Sequence, residues 1–138
     1  MIEDMDYSDG ATPLDPDEMG GLIYSHLTTR GELDELESTN IDSGLYWLSR
    51  QRNPDVLTDH FARDLHRHLF GDVWEWAGMY RLTEKNTGID PMQISVQLRQ
   101  LLDDAQYWVD NHIYEPKETA LRLHHKLVYI HLFPNGNG

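Results

Sequence analysis

Three pairs of an acidic residue and a proline divide the sequence, and each is followed by a pattern typical of a helix. Asp15-Pro16, Asp90-Pro91 and Glu115-Pro116 place an acidic residue before a proline that fits the first helical position. After the second and third pairs, apolar residues recur every three or four positions, which is helical spacing. The sequence therefore predicts a mainly α-helical fold.

The same spacing sets the predicted elements. Helices are expected over 31–49, over 58–70, from Pro91 onward and over 116–132. The first of these is predicted to bury an apolar stripe of Leu33, Leu36, Ile41, Leu45 and Leu48. Only residues 80–89 have a strand-like pattern, and we expect them to form a short β-hairpin or extended flap.

Length indicates a single folded domain after a loose leader. The chain has 138 residues, which suits one domain of about 100–200 residues. Residues 1–14 are acidic, rich in turn-forming residues and without periodicity, so they are predicted to be a flexible leader. Residues 15–138 are predicted to be the folded domain.

Charge and composition exclude several classes of function. Eleven Lys and Arg residues against 24 Asp and Glu residues give a net charge of −13, which disfavours binding to nucleic acid or to an anionic membrane. The chain has no Cys, which excludes thiol catalysis and fits a cytoplasmic location. No apolar run reaches the length of about 18 residues that a membrane span needs.

The segment 131–138, His-Leu-Phe-Pro-Asn-Gly-Asn-Gly, combines a base with a flexible loop. His131 is a candidate general base near neutral pH. Gly136 and Gly138 let backbone N–H groups converge on an anion such as a phosphate. Together they suit attack by a hydroxyl on a nucleotide phosphate. Taken alone, the same residues also fit a core histidine on the stripe of Ala120, Leu123 and Leu127, followed by an ordinary turn.

The other histidines carry less information. His66 and His68, two apart on a helix, face different ways, and so do the adjacent His124 and His125. We expect no zinc site from them.

Residues 131–138 resemble the signature of the Fic/DOC (Fido) family, His-x-Phe-x-acidic-Gly-Asn-Gly-Arg. The segment 70–81, Phe-Gly-Asp-Val-Trp-Glu-Trp-Ala-Gly-Met-Tyr-Arg, looks like the family's approach to its flap. The segment 28–33, Thr-Thr-Arg-Gly-Glu-Leu, is similar to the subgroup called mobile mystery protein B. The resemblance covers about residues 15–138.

This resemblance implies an all-α Fic fold with a β-hairpin flap, and transfer of AMP from ATP, with Mg²⁺, to a Ser, Thr or Tyr hydroxyl of a target protein. His131 matches the base, Phe133 matches a core anchor, and Asn135 stands where the family has an acidic Mg²⁺ ligand. The residues matching the nucleotide-phosphate cradle are Gly136, Asn137 and Gly138. The flap that would align a target peptide consists of Thr83, Glu84, Lys85, Asn86, Thr87, Gly88 and Ile89.

Two departures from the family pattern bear on activity. Asn135 carries no charge, whereas Mg²⁺ favours carboxylate and phosphate oxygens. The sequence ends at Gly138, where the family continues with a phosphate-binding Arg and a helix carrying another. We therefore expect a truncated chain with little or no activity.

Regulation and alternative roles stay open at this point. Thr28 and Glu32 match the start of the family's inhibitory Ser/Thr-x-x-x-Glu motif, but Leu33 departs from its last position, and an ordinary helix start explains the acids equally well. The alternatives to an adenylyltransferase are a toxin-like Fic/DOC protein held by an antitoxin, a kinase-like relative, and a degenerate Fic fold that only binds proteins.

Overall fold

The computed structural model describes residues 13–27 and 29–138 and is mainly helical. Thr28 and nearly all of the predicted leader lie outside the described residues. The α-helices are α1 (Pro16–Met19), α2 (Arg30–Ser49), α3 (Asp59–Phe70), α4 (Ile94–Asp110) and α5 (Pro116–Ile130), with a 3-10 turn at Pro91–Gln93. Over these ranges no strand forms, and Leu22 with Trp74 makes an isolated bridge. The predicted mainly α fold is confirmed.

Side-chain caps begin the helices where the sequence predicted them. The Glu18 carboxylate accepts from the Asp15 N–H at 2.8 Å. Thr58 Oγ1 accepts from the Phe61 N–H at 3.1 Å, and the Asp90 carboxylate accepts from the Met92 N–H at 2.9 Å. These bonds satisfy N–H groups that a helix start leaves without a backbone partner. None of the helices in the described ranges is long and apolar enough to cross a membrane.

The chain divides into two compact units, the first made of residues up to 54 together with 63–79. Its core comprises Leu22, Leu27, Leu33, Val73 and Trp74. Asn40 is also buried. Its polar atoms are satisfied there, because its side chain donates to the His68 carbonyl at 3.0 Å and accepts from the Asp72 N–H at 2.9 Å.

The predicted apolar stripe of α2 is wrong in part. Leu45 is 51% exposed, and the buried face of α2 is Leu33, Asn40 and Gly44. A Cβ on Gly44 would lie 2.8 Å from the His68 carbonyl oxygen, so only glycine permits this approach. The burial of Asn40 and Gly44 depends on residues far along the sequence, which apolar spacing does not report.

Glu37, on α2 in the same unit, carries a perturbed carboxyl group. Burial is the main cause that raises its pKa, and Asp34 adds to the rise, while Arg30 and a hydrogen bond from Trp74 oppose it. The folded state thus binds the proton more tightly than the unfolded state. The ionised carboxylate therefore costs stability as pH rises through this raised pKa.

Replacing Glu37 with glutamine is expected to raise the thermal unfolding midpoint at pH 7 by about 1–3 °C. The gain should vanish near pH 3, below the ordinary Glu pKa of about 4.3, because Glu37 is then protonated in both the folded and the unfolded state. Calorimetry at the two pH values checks this. A lower midpoint at pH 7 would contradict it.

The second unit comprises residues 55–62 and 80–138. Helix α4 packs on α5, and the core contains Ile94, Leu98, Leu101, Leu102, Ile130, Leu132 and Phe133. The α4 residues of this cluster follow the three- and four-residue spacing that predicted a helix from Pro91 onward. Helix α5 ends at Ile130, two residues earlier than predicted, because His131 turns into the left-handed region at φ 59°. His131 therefore leaves the helical stripe of Ala120, Leu123 and Leu127, although it is itself buried, as a core histidine would be.

The predicted β-hairpin at 80–89 is not formed. This segment is a loop without strand pairing in the described structure. The Arg81 side chain donates to the carbonyls of Thr83, at 2.8 Å, and of Ile89, so that one guanidinium joins the two ends of the loop. That side chain takes the place of the cross-strand hydrogen bonds of a hairpin.

Candidate active site

His131 forms the junction between α5 and the glycine-containing loop. It is the C-cap of α5, with φ 59° and ψ 71°, and it is 6% exposed. Its N–H donates to the Leu127 carbonyl at 3.0 Å, and the next carbonyl, that of Leu132, accepts from the Arg81 N–H at 2.9 Å. A non-glycine residue in this conformation costs about 1–2 kcal/mol, so these contacts hold a strained turn.

Asn137 closes the loop that follows. Its side-chain oxygen accepts from the Phe133 N–H at 2.7 Å, and its amide nitrogen donates to the Phe133 carbonyl at 2.8 Å. Phe133 is buried, and its ring centroid lies 6.0 Å from that of Tyr80. Gly136, at φ 75°, lies in the turn between Phe133 and Asn137. The Asn137 amide therefore shapes the loop.

Replacing Asn137 with alanine is expected to destabilise the protein by about 1–2 kcal/mol, because it removes both bonds to Phe133 and leaves a partly buried N–H without its acceptor. Thermal unfolding measures this. Asn111→Ala is the matched control, since the Asn111 side chain makes one exposed bond to the Tyr107 carbonyl and its removal should change stability by less than about 0.5 kcal/mol. Equal losses in the two variants would contradict the assignment.

Asn135 lies at the exposed tip of the loop. Its side-chain oxygen accepts from the Gly136 N–H at 2.7 Å. The predicted metal ligand and a predicted phosphate donor are thus bonded to each other. In the described part of the chain, no group of three or more His, Asp or Glu side chains is arranged to hold a metal ion. Asn135 and Gly136 therefore do not form a Mg²⁺ site made of protein ligands alone, because such a site usually includes a carboxylate.

The second half of the flap touches His131. Thr87 Oγ1 lies 3.4 Å from His131 Nδ1. Gly88 has φ 95°, and a Cβ on it would lie 2.7 Å from His131 Cβ and 2.8 Å from Arg81 Nη2. Thr83, Glu84, Asn86 and Thr87 are exposed. The flap thus presents an exposed surface while its glycine packs on the candidate base.

Arg81 is the residue of this region that sequence reasoning missed. It is 2% exposed, and its guanidinium donates to the carbonyls of Ile130 and His131 at 3.2 and 2.5 Å as well as to the flap. A cation is favourable at a helix C-terminus, where carbonyls lack helical partners. The sequence gives no local signal of this contact, because Arg81 and His131 are fifty residues apart.

The sequence also singled out Glu32 and Gly138. Glu32 is exposed in the first turn of α2, where its N–H donates to Thr29 Oγ1 at 3.2 Å. Gly138 is exposed, with open space where a Cβ would be.

The family model for Fic, described as the Fic/DOC family, matches residues 56–138. The match covers more than half of the chain and includes the candidate base, its loop and the flap. The chain belongs to the Fic/DOC family.

A curated relative and solved structures agree with this assignment. The chain is similar to a probable protein adenylyltransferase of Sinorhizobium fredii, with 39% identity over 66 residues, covering 46% of this chain and 32% of the relative. It thus spans about a third of that protein's length.

Among solved structures, the N-terminal Fic domain of a VirB-translocated effector protein from Bartonella sp. 1-1C has a TM-score of 0.68 at 15% identity, covering 83% of this chain and 63% of that one. A Fic-domain-containing signalling protein from Bacteroides thetaiotaomicron has a TM-score of 0.63 at 25% identity, covering 83% and 48%. The first of these likenesses establishes the fold alone.

Proposed function

We propose that this Fic domain transfers AMP from ATP to a Ser, Thr or Tyr hydroxyl of a target protein, with His131 as the general base and at a rate that the neutral Asn135 keeps low. The observation that carries the proposal is the placement of His131. His131 is buried and ends α5 with its own backbone in the left-handed region. The loop 132–138 follows it directly, and Gly88 of the flap packs against it. The name of the Sinorhizobium relative supports the reaction type.

The reaction assigns a defined task to each group. The His131 imidazole takes the proton of the target hydroxyl as its oxygen attacks the α-phosphorus of ATP. The bond from the α-phosphorus to the bridging oxygen breaks, and pyrophosphate leaves. Backbone N–H groups of Gly136, Asn137 and Gly138 are the proposed phosphate donors, since a glycine at positive φ lets successive N–H groups converge.

Magnesium has a minor place in this proposal. Bound to the nucleotide, Mg²⁺ supplies charge neutralisation to the triphosphate. Asn135 is a neutral residue whose oxygen already accepts from Gly136, so the chain's own contribution there is a carbonyl ligand at most. The phosphates and water would provide the other ligands.

The flap is the proposed binding element for the target. Residues 83–89 form no strand pairing within the described structure, and most of these residues are exposed. An extended target segment can add to such a backbone as a strand, which gives affinity without fixing the side-chain sequence. Because Thr87 and Gly88 lie against His131, a segment bound there has its hydroxyl near the base.

The test is incubation of the protein with ATP labelled at the α-phosphate and with soluble proteins of a bacterial extract. Label on one or a few protein bands, resistant to denaturation and absent without the chain, is expected. A folded chain that labels no protein would contradict the proposal.

A second candidate is a Fic-fold protein-binding module without catalysis. The bond between Asn135 and Gly136 favours it, because it occupies two of the groups proposed for nucleotide. Calorimetry with Mg-ATP separates the two, since the module predicts no heat of binding and the transferase predicts saturable binding.

A further inference from the structure

Arg81 connects the two parts of the candidate site. Its guanidinium donates to the carbonyls of Thr83 and Ile89, at the two ends of the flap, and to those of Ile130 and His131, at the end of α5. Its own backbone N–H donates to the Leu132 carbonyl. One side chain therefore contacts both the target-binding element and the backbone of the proposed base.

Burial makes these contacts demanding. Arg81 is 2% exposed, and a buried cation that loses its acceptors bears the full cost of its lost hydration. The guanidinium is planar and offers five N–H donors in a fixed fork, so its acceptors are held in fixed relative positions. A lysine ammonium in its place has three donors on one nitrogen and cannot span the same carbonyls.

Gly88 adds a second restraint to this arrangement. Gly88 lies so close to Arg81 Nη2 and His131 Cβ that a side chain at this position would clash with both atoms. The flap, the guanidinium and the base are therefore in direct contact, and a change of flap position requires a change at Arg81 or His131.

We infer that Arg81 is a positioning residue that sets the distance between the flap and His131, so that a hydroxyl presented by the flap lies within reach of the imidazole. The inference rests on the proposed function for its catalytic consequence. Its structural content, a single side chain that holds both segments, is independent of the reaction.

Kinetics of Arg81→Lys test the catalytic consequence. We expect kcat for AMP transfer to fall at least about tenfold, because a misplacement of about 1 Å at a reacting centre costs up to about 10²-fold. The KM for ATP should stay within about twofold, since Arg81 donates to the flap and to α5. A wild-type kcat, or a loss expressed only in the KM for ATP, would overturn the inference.

Arg122→Lys is the matched control. Arg122 is an exposed arginine of α5 that pairs with Glu118 at 2.9 Å and lies over the Tyr114 ring. The same substitution there removes a forked contact away from the flap, and kcat should remain at the wild-type value.

Hydrogen–deuterium exchange tests the structural content without any assay of activity. In Arg81→Lys, exchange should accelerate in peptides covering both 82–90 and 130–133, and Arg122→Lys should leave them unchanged. Exchange that accelerates in only one of the two segments, or in neither, would overturn the inference. If both segments loosen but no variant or wild-type chain transfers AMP, the proposed function fails and the positioning role stands.

The unaltered chain provides a further measurement in case Arg81→Lys does not fold. Because one side chain holds both segments, 83–89 should contain amides protected from exchange, and these should open with equilibrium constants within about tenfold of those of the His131 and Phe133 amides. A flap with no protected amide, or opening constants that differ by more than about a hundredfold, would contradict the inference.

Discussion

Replacing His131 with asparagine is expected to lower AMP transfer by about 10²–10⁴-fold while leaving the fold intact. The amide of asparagine is not a base at neutral pH, so the target hydroxyl keeps its proton. Asparagine tolerates the left-handed conformation that this position adopts at φ 59°, whereas alanine there is strained. The measurement is the rate of label transfer from α-labelled ATP, with thermal unfolding recorded for each variant.

His112→Asn is the matched control for this variant. His112 also has a positive φ, of 50°, but it is exposed in the turn after α4 and lies outside the candidate site. Its rate should equal that of the wild type. Transfer by His131→Asn at more than a tenth of the wild-type rate would contradict the assignment of the base.

Replacing Gly88 with alanine is expected to lower AMP transfer by about 10²-fold, with a smaller change in ATP binding. The added Cβ would lie 2.7 Å from His131 Cβ, and φ 95° is unfavourable for any residue with a Cβ. The flap must therefore move away from His131, which separates a bound target hydroxyl from its base. Rates over a range of target concentrations, together with calorimetry for ATP, measure the two effects.

The stability control for Gly88→Ala is the same substitution at Gly31. Gly31 is in helix α2, and apart from its chain neighbours and the backbone of its own helix no atom lies within 4 Å of a Cβ there. Gly31→Ala should raise the free energy of unfolding by about 0.5–1 kcal/mol, while Gly88→Ala should lower it. A wild-type transfer rate in Gly88→Ala would show that the contact between flap and base is dispensable.

The helices could be predicted because their signals are local. The caps at Asp15, Thr58 and Asp90 act within three residues, and the apolar spacing of α4 reflects a face that is buried from Ile94 to Ala105. The face of α2 could not be predicted in the same way. Asn40 is buried because two backbone groups about thirty residues away satisfy it, and such a partner leaves no mark on apolar periodicity.

The flap shows a different limit of the sequence. Residues 80–83 and 87–89 have a strand-like composition, but strand formation needs a partner ladder. Here the Arg81 side chain bonds the carbonyls at both ends of the loop. The same side chain bonds the turn at His131. Its contribution depends on burial among carbonyls that only the folded chain brings together.

The candidate site itself could be predicted from the sequence because the residues of its signature are contiguous. His131 and the loop that follows it stand in one eight-residue segment. The hydrogen bonds within that segment could not be predicted. Asn137 turns its amide back onto Phe133, and Asn135 turns its oxygen onto Gly136, although both were expected to face a nucleotide.

The position of the phosphate transferred to the target is the most direct test of the central claim. The same target protein is incubated with this chain and with ATP labelled at either the α- or the γ-phosphate, and its mass is measured afterwards. We expect α-label on a hydroxyl side chain, a mass increase equal to one AMP, and γ-label recovered in pyrophosphate. Label from the γ-phosphate on the target, or an unchanged target mass, would contradict it.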